Sequence, residues 1–233
     1  MTKSALEPLD ALHDLGVRES LDHDLQDTGM EIETPHGPAR VHLHAADRPR
    51  AALILGHGAG GGVDAADLVA TTDAALAESV SVALVEQPYR VAGRRSSPPA
   101  KQLDAAWIAV LAHLAEGELS GLPLIPGGRS AGARVACRTA AATGAAGVVC
   151  LAFPLRPPRH KTATEDPPSR LPELDMVTVP TLVVQGERDR FGMPPPGPRR
   201  KVVTVAGDHG LKKDLAAVAG AVSDWLRSGG ALD

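Results

Sequence analysis

Aromatic side chains are scarce in this chain: two Phe, two Trp and one Tyr among 233 residues. Proteins that hold single-stranded nucleic acid stack bases on such rings and track the backbone with cations. The net charge here is −4, so nucleic acid is not an expected partner. Long apolar runs are missing too. The most apolar stretch, Gly144 to Leu155, is broken by Pro154 and falls short of the roughly 20 residues that cross a bilayer, so no membrane partner is expected. Cysteine is limited to Cys137 and Cys150. Each lies in an apolar segment and reads as a small buried hydrophobe in a reducing compartment, not as part of a disulfide framework. A signal peptide needs a basic start and an unbroken apolar segment, whereas Met1 to Gln26 interleaves Leu with Glu7, Asp10, Asp14, Glu19, Asp22 and Asp24. A cytoplasmic location is therefore expected.

What remains is a chain with 43% hydrophobic residues, mostly Ala, Val and Leu, enough for one sizeable core. Short aliphatic runs alternate with longer stretches of helical spacing, the pattern of an α/β fold with a parallel sheet wrapped by helices. Strands are expected at Ala51 to Leu55, Ser81 to Glu86, Leu122 to Pro126, Gly147 to Phe153, Thr181 to Gln185 and Lys201 to Val205. Most are apolar throughout, as strands covered on both faces should be. Ahead of them, Met30 to Thr34 and Ala39 to His44 flank His36, Gly37 and Pro38, which reads as an antiparallel hairpin.

Leu103, Trp107, Val110, Leu111 and Leu114 share one helical face, as do Leu215, Val218, Val222, Trp225 and Leu226. Further helices are expected over Ala65 to Glu78 and from just after Ser130 to about Ala142. Residues 28–233 thus form one three-layer α/β/α domain, behind an acidic segment, residues 1–27, expected to be flexible or loosely docked. Six prolines between Pro154 and Pro172 rule out a long helix there, so no cap domain is expected before Thr181.

The sharpest local signal is Gly128, Arg129, Ser130, Ala131, Gly132, a G-x-S-x-G between an expected strand and an expected helix. A serine is a weak nucleophile and needs a strained turn that exposes its hydroxyl to a base, and the flanking glycines permit that bend. The bland alternative is a Gly-rich turn whose Ser caps a helix. A second glycine run, Gly56 to Gly62 with His57 inside it, follows the strand Ala51 to Leu55. It has the form of an oxyanion loop, in which a backbone nearly free of side chains aims N–H groups at a developing negative charge. Ala59 and Ala131 are the expected donors. A phosphate cradle is the alternative, but Gly62 is followed by Val63 and Asp64 where a P-loop needs Lys and Ser or Thr.

Asp189 follows the strand Thr181 to Gln185, and His209 follows the strand Lys201 to Val205. The chain order Ser130, Asp189, His209 therefore puts three candidates at the carboxyl ends of strands, the functional edge of an open parallel sheet. His209 would act as base and Asp189 would orient it; Glu187 and Asp208 are the rival acids. His42 and His44 share a strand face, but no third ligand is suitably spaced, so neither a metal nor a cofactor is expected. His57 reads as a residue that shapes its loop, and His160 as an exposed loop residue. Arg129 and Tyr89 are expected to line the substrate site.

These motifs resemble those of the α/β-hydrolases over about residues 30–229. More narrowly, the chain is similar to the small family related to dienelactone hydrolases that includes testis-expressed proteins and a subunit of the NSL chromatin complex. The likeness is carried by HGAGGG at His57 to Gly62, EQPYRVAGRR at Glu86 to Arg95, GGRSAGARVA at Gly127 to Ala136, FPLRPP at Phe153 to Pro158, QGERDRFG at Gln185 to Gly192 and DHGLK at Asp208 to Lys212. It implies a serine hydrolase fold. Dienelactone hydrolases proper use a cysteine where this chain has Ser130, so their substrate is not carried over. The expected activity is cleavage of a small ester or thioester through an acyl-enzyme on Ser130. The alternative is a binding or scaffold module with little turnover, and acyl transfer would use the same three residues.

Overall fold

The fold was taken from a computed structural model, which describes residues 29–157 and 167–229. The expectations for residues 1–27 and for His160 lie outside the described residues. Eight strands form one sheet: β1 (Met30–Ile32), β2 (Ala39–His44), β3 (Ala51–Gly56), β4 (Val80–Glu86), β5 (Leu124–Arg129), β6 (Val148–Leu151), β7 (Thr181–Gly186) and β8 (Arg200–Val205). Their spatial order is β1-β2-β4-β3-β5-β6-β7-β8. The expected hairpin is present: β1 pairs antiparallel with β2, and β2 antiparallel with β4, while every later pairing is parallel.

Two layers of helices cover the sheet: α1 (Ala66–Ala77) and α6 (Leu215–Arg227) on one side, and α3 (Ala100–Glu116) and α4 (Ala131–Thr139) on the other. The period of two along β3 sorts its side chains between the layers. Leu53 and Leu55 join the α1/α6 core, and Ala52 and Ile54 join the α3 core around Trp107. All four are fully buried, which is why this strand reads as an unbroken apolar run. Asp214 starts α6 by accepting the Ala217 N–H at 2.9 Å. Cys137 and Cys150 are free, buried thiols 3.5 Å apart.

Three differences from the sequence expectation matter. Strand β5 runs from Leu124 through Gly127 and Gly128 to Arg129, where the expected strand was Leu122 to Pro126. The two glycines continue the ladder with β3 and β6, and only glycine fits there: a Cβ on Gly127 would lie 2.5 Å from the Val149 carbonyl, and one on Gly128 2.3 Å from that of Gly56. Two short helices, α2 (Pro88–Val91) and α5 (Leu171–Asp175), were not expected. Each is only a turn long, with Pro in its first turn supplying a helical φ. Between β6 and β7, α5 is the only helix among the described residues, and no helix there is long and apolar enough to cross a membrane.

Candidate active site

Ser130 stands in the one-residue turn between β5 and α4. Its backbone has φ 52° and ψ −104°, outside the regions that L-residues ordinarily occupy. The turn is fixed from both sides, since the Ser130 N–H donates to Leu151 O at 2.9 Å and its carbonyl accepts the Arg134 N–H at 3.3 Å. Gly132 makes the bend possible: a Cβ there would sit 2.2 Å from the Gly56 carbonyl oxygen. The Ala131 N–H, at the first position of α4, has no intrahelical acceptor.

Three of the expected residues meet here. His209 Nε2 lies 3.0 Å from Ser130 Oγ, and His209 Nδ1 lies 2.8 Å from Asp189 Oδ2. With the Asp189 carboxylate facing it, Nδ1 carries the proton and donates, which leaves Nε2 to accept the Ser130 hydroxyl proton. The Asp189 side chain is 1% exposed, and its buried charge is hydrogen-bonded. Oδ1 accepts the Phe191 N–H at 2.8 Å, and Oδ2 also accepts from Gln185 Nε2 at 2.8 Å. The rival acids do other things: Asp208 turns back to its own loop at the Gly210 N–H, and Glu187 is exposed beside Arg188.

The glycine loop is tied to the segment that follows β4. His57 is buried, with Nδ1 2.8 Å from Gly58 O and Nε2 accepting the Gln87 N–H at 3.1 Å. Both bonds suit a neutral ring, and burial pushes its pKa below 6.5. The Tyr89 hydroxyl donates to Ala59 O at 2.9 Å. Ala59 itself is on the surface, in a turn closed by the Gly61 N–H on Gly58 O.

Arg129 and Tyr89, expected on the substrate, have their polar atoms turned to the protein. Arg129 Nε donates to Asp67 Oδ2 at 3.1 Å and one terminal nitrogen donates to His209 O at 3.0 Å. Sequence reasoning missed three participants. Asp67 is 1% exposed inside α1, and burial raises its pKa against the opposing pull of Arg129. Gln185 is fully buried at the end of an otherwise apolar run and also bonds Phe153 O and Gly192 O. Phe191 sets its ring edge-on to His209, with centroids 4.4 Å apart. The available signals were an acid in the first turn of α1 next to apolar Leu68 and Val69, and a lone amide ending an apolar strand.

A family model described as an alpha/beta hydrolase domain matches residues 49–214. A search of curated protein sequences returns no match. Among solved structures, XC6422 from Xanthomonas campestris, described as a serine hydrolase without lid, is similar at 18% identity and TM-score 0.66, covering 86% of this chain and 93% of that one. Est1E from Butyrivibrio proteoclasticus is similar at 17% identity and TM-score 0.70, covering 86% and 98%. The dienelactone hydrolase from Anabaena variabilis is similar at 15% identity and TM-score 0.68, covering 86% and 96%. At these identities the likeness establishes the shared fold alone.

Proposed function

From the premise that the chain belongs to the alpha/beta hydrolase family, we propose that it is a serine hydrolase that cleaves a small ester or thioester. The observation that carries this reading is the continuous hydrogen-bonded chain from Asp189 through His209 to Ser130 Oγ, with the serine on a strained turn. Ser130 Oγ attacks the substrate carbonyl carbon as its proton passes to His209 Nε2. The carbonyl oxygen, now negative, is held by the N–H groups of Ala59 and Ala131. The tetrahedral centre collapses, the C–O or C–S bond breaks, and His209 Nε2–H protonates the departing alcohol or thiol oxygen or sulfur. Water then gives a proton to Nε2 while its oxygen attacks the acyl carbon. This second tetrahedral centre collapses, the bond from Ser130 Oγ to the acyl carbon breaks, His209 Nε2 returns its proton to Oγ, and the acid leaves.

Asp189 holds the ring in the required tautomer and balances the imidazolium. Arg129 and Tyr89 serve this site as positioning residues through their bonds to His209 O and Ala59 O. The absence of a cap among the described residues favours short acyl groups or esters displayed on a surface. The narrower kinship, with the dienelactone-hydrolase-related group, belongs to this reading and rests on the motifs around Tyr89, Ser130 and His209. The test is a fluorophosphonate probe with the adduct located by peptide mass spectrometry. Labelling at Ser130 that is lost in His209→Ala is expected, whereas folded protein that takes no label would move the reading to a binding or scaffold module.

A further inference from the structure

Arg129 immediately precedes Ser130, and its guanidinium meets three other parts of the fold. Nε donates to Asp67 on α1, and one terminal nitrogen donates to the main-chain carbonyl of His209 on the loop after β8. The other terminal nitrogen lies under the glycine loop, where a Cβ on Gly58 would be 2.9 Å from it. Asp67 is the anchor: its side chain is 2% exposed, against 20% for that of Arg129, and Oδ1 accepts the Leu68 N–H at 3.1 Å. Burying a carboxylate without a partner is costly, so the acid has a structural reason to hold Arg129 in one place. The planar fork of a guanidinium spans two acceptors at fixed angles, which a lysine ammonium cannot do.

We infer that Asp67 and Arg129 form a positioning pair that fixes the His209 main chain, and with it the imidazole, relative to Ser130 and the glycine loop. The inference rests on the hydrolase reading above. The His209 ring is gripped at Nδ1 by Asp189 and packed in a T-shaped pair with Phe191, and its loop is held on the β7 side by the Arg188 N–H on Gly207 O. Arg129 ties the His209 carbonyl itself to the residue next to the nucleophile, so base and nucleophile share one reference point. A displacement of about 1 Å between such groups costs on the order of 10²-fold in rate.

The experiment compares Arg129→Lys, Arg129→Gln and Asp67→Asn with wild type. Each is read by the rate of phosphonylation by a fluorophosphonate probe and by kcat and KM on a small chromogenic ester, per active site titrated with the probe. A fall in kcat and in phosphonylation rate of about 10- to 100-fold with KM little changed is expected for Arg129→Lys and Arg129→Gln, with a smaller fall in Asp67→Asn, which keeps one acceptor oxygen. The double variant Asp67→Asn with Arg129→Gln should lose no more than Arg129→Gln alone, because the two act as a unit. A role in folding alone would lower the titrated fraction and leave the rate per active site unchanged, and that result in Arg129→Lys or Asp67→Asn overturns the inference. Wild-type protein that takes no label would instead remove the hydrolase reading itself, and the inference with it.

Discussion

Ser130 occupies a backbone conformation that costs on the order of 1–3 kcal/mol, and it persists because the β6 carbonyl of Leu151 and the Arg134 N–H hold both of its peptide groups. The strain places Oγ in reach of His209 Nε2. Asp189 is the second over-determined residue, with donors from Phe191, Gln185 and His209 around one buried carboxylate. Three such bonds occupy both oxygens of a carboxyl group whose side chain is 1% exposed. Asp189→Asn keeps the shape but offers an amide that turns the ring to the wrong tautomer. A drop in kcat of about 10⁴-fold is expected, with stability lower by about 1–3 kcal/mol because the amide NH2 must face one of these buried donors. Steady-state kinetics on an ester that the wild type turns over, alongside calorimetry, checks both halves of that statement.

At the scale of elements, the site depends on how closely β3, β5 and α4 approach one another. Gly132 packs the first turn of α4 directly onto the β3 end, at Gly56 and His57. Gly132→Ala must push α4 off the sheet. A loss of at least about 1–3 kcal/mol is expected, or a melting temperature lower by on the order of 5–10 °C, together with the loss of probe labelling. Gly60→Ala is the control within the same motif set, since nothing lies within 4 Å of the added carbon. Its stability should stay within about 0.5 kcal/mol of wild type. Thermal unfolding of both variants separates close packing from mere loop flexibility. The same contrast explains what was legible in the sequence. Ser130, Asp189 and His209 could be read because each sits just past a strand whose apolar run is local in the chain. The extension of β5 through Gly127 to Arg129 could not, because it follows from contacts with Val149 and Gly56 that are distant in sequence. Asp67 escaped for the same reason, since its partner Arg129 is far off in the chain; Gln185 is close to Asp189 in sequence, but its bond to Phe153 O on the neighbouring strand's loop forms only when the sheet assembles. For Arg129 and Tyr89 the sequence indicated proximity to the site but not direction, and both side chains turn toward the scaffold.

For the molecule as a whole, the two helical layers are coupled across the sheet at the functional edge, and His57 is one of the couplers. It sits at the end of β3, bonds its own loop at Gly58, and receives the Gln87 N–H from the segment leading to α3. The Gln87 bond needs the neutral ring, because a protonated Nε2 can no longer accept, whereas Nδ1–H donates to Gly58 O in either form. Burial lowers the His57 pKa in the folded chain from 6.5, while the unfolded chain keeps the ordinary value. The unfolded state therefore binds the extra proton first. Stability contributed by the neutral ring is complete above about pH 6.5 and declines as pH falls through the folded-state value, by at most about 1.4 kcal/mol per pH unit. Asp67 works in the opposite sense, since burial raises its pKa from 3.8 and the folded state takes up its proton more readily. Its effect begins in the carboxylate range, on the acid side of the histidine's. Urea unfolding at pH 7.5 and at pH 5.5 should accordingly show a lower midpoint at the acid value in wild type. His57→Phe should start less stable by about 1–3 kcal/mol, because the Gln87 N–H loses its acceptor, and should then lose less between the two pH values than wild type does. Equal losses in both proteins would mean that another group carries the acid sensitivity and that the His57 clamp tolerates its proton.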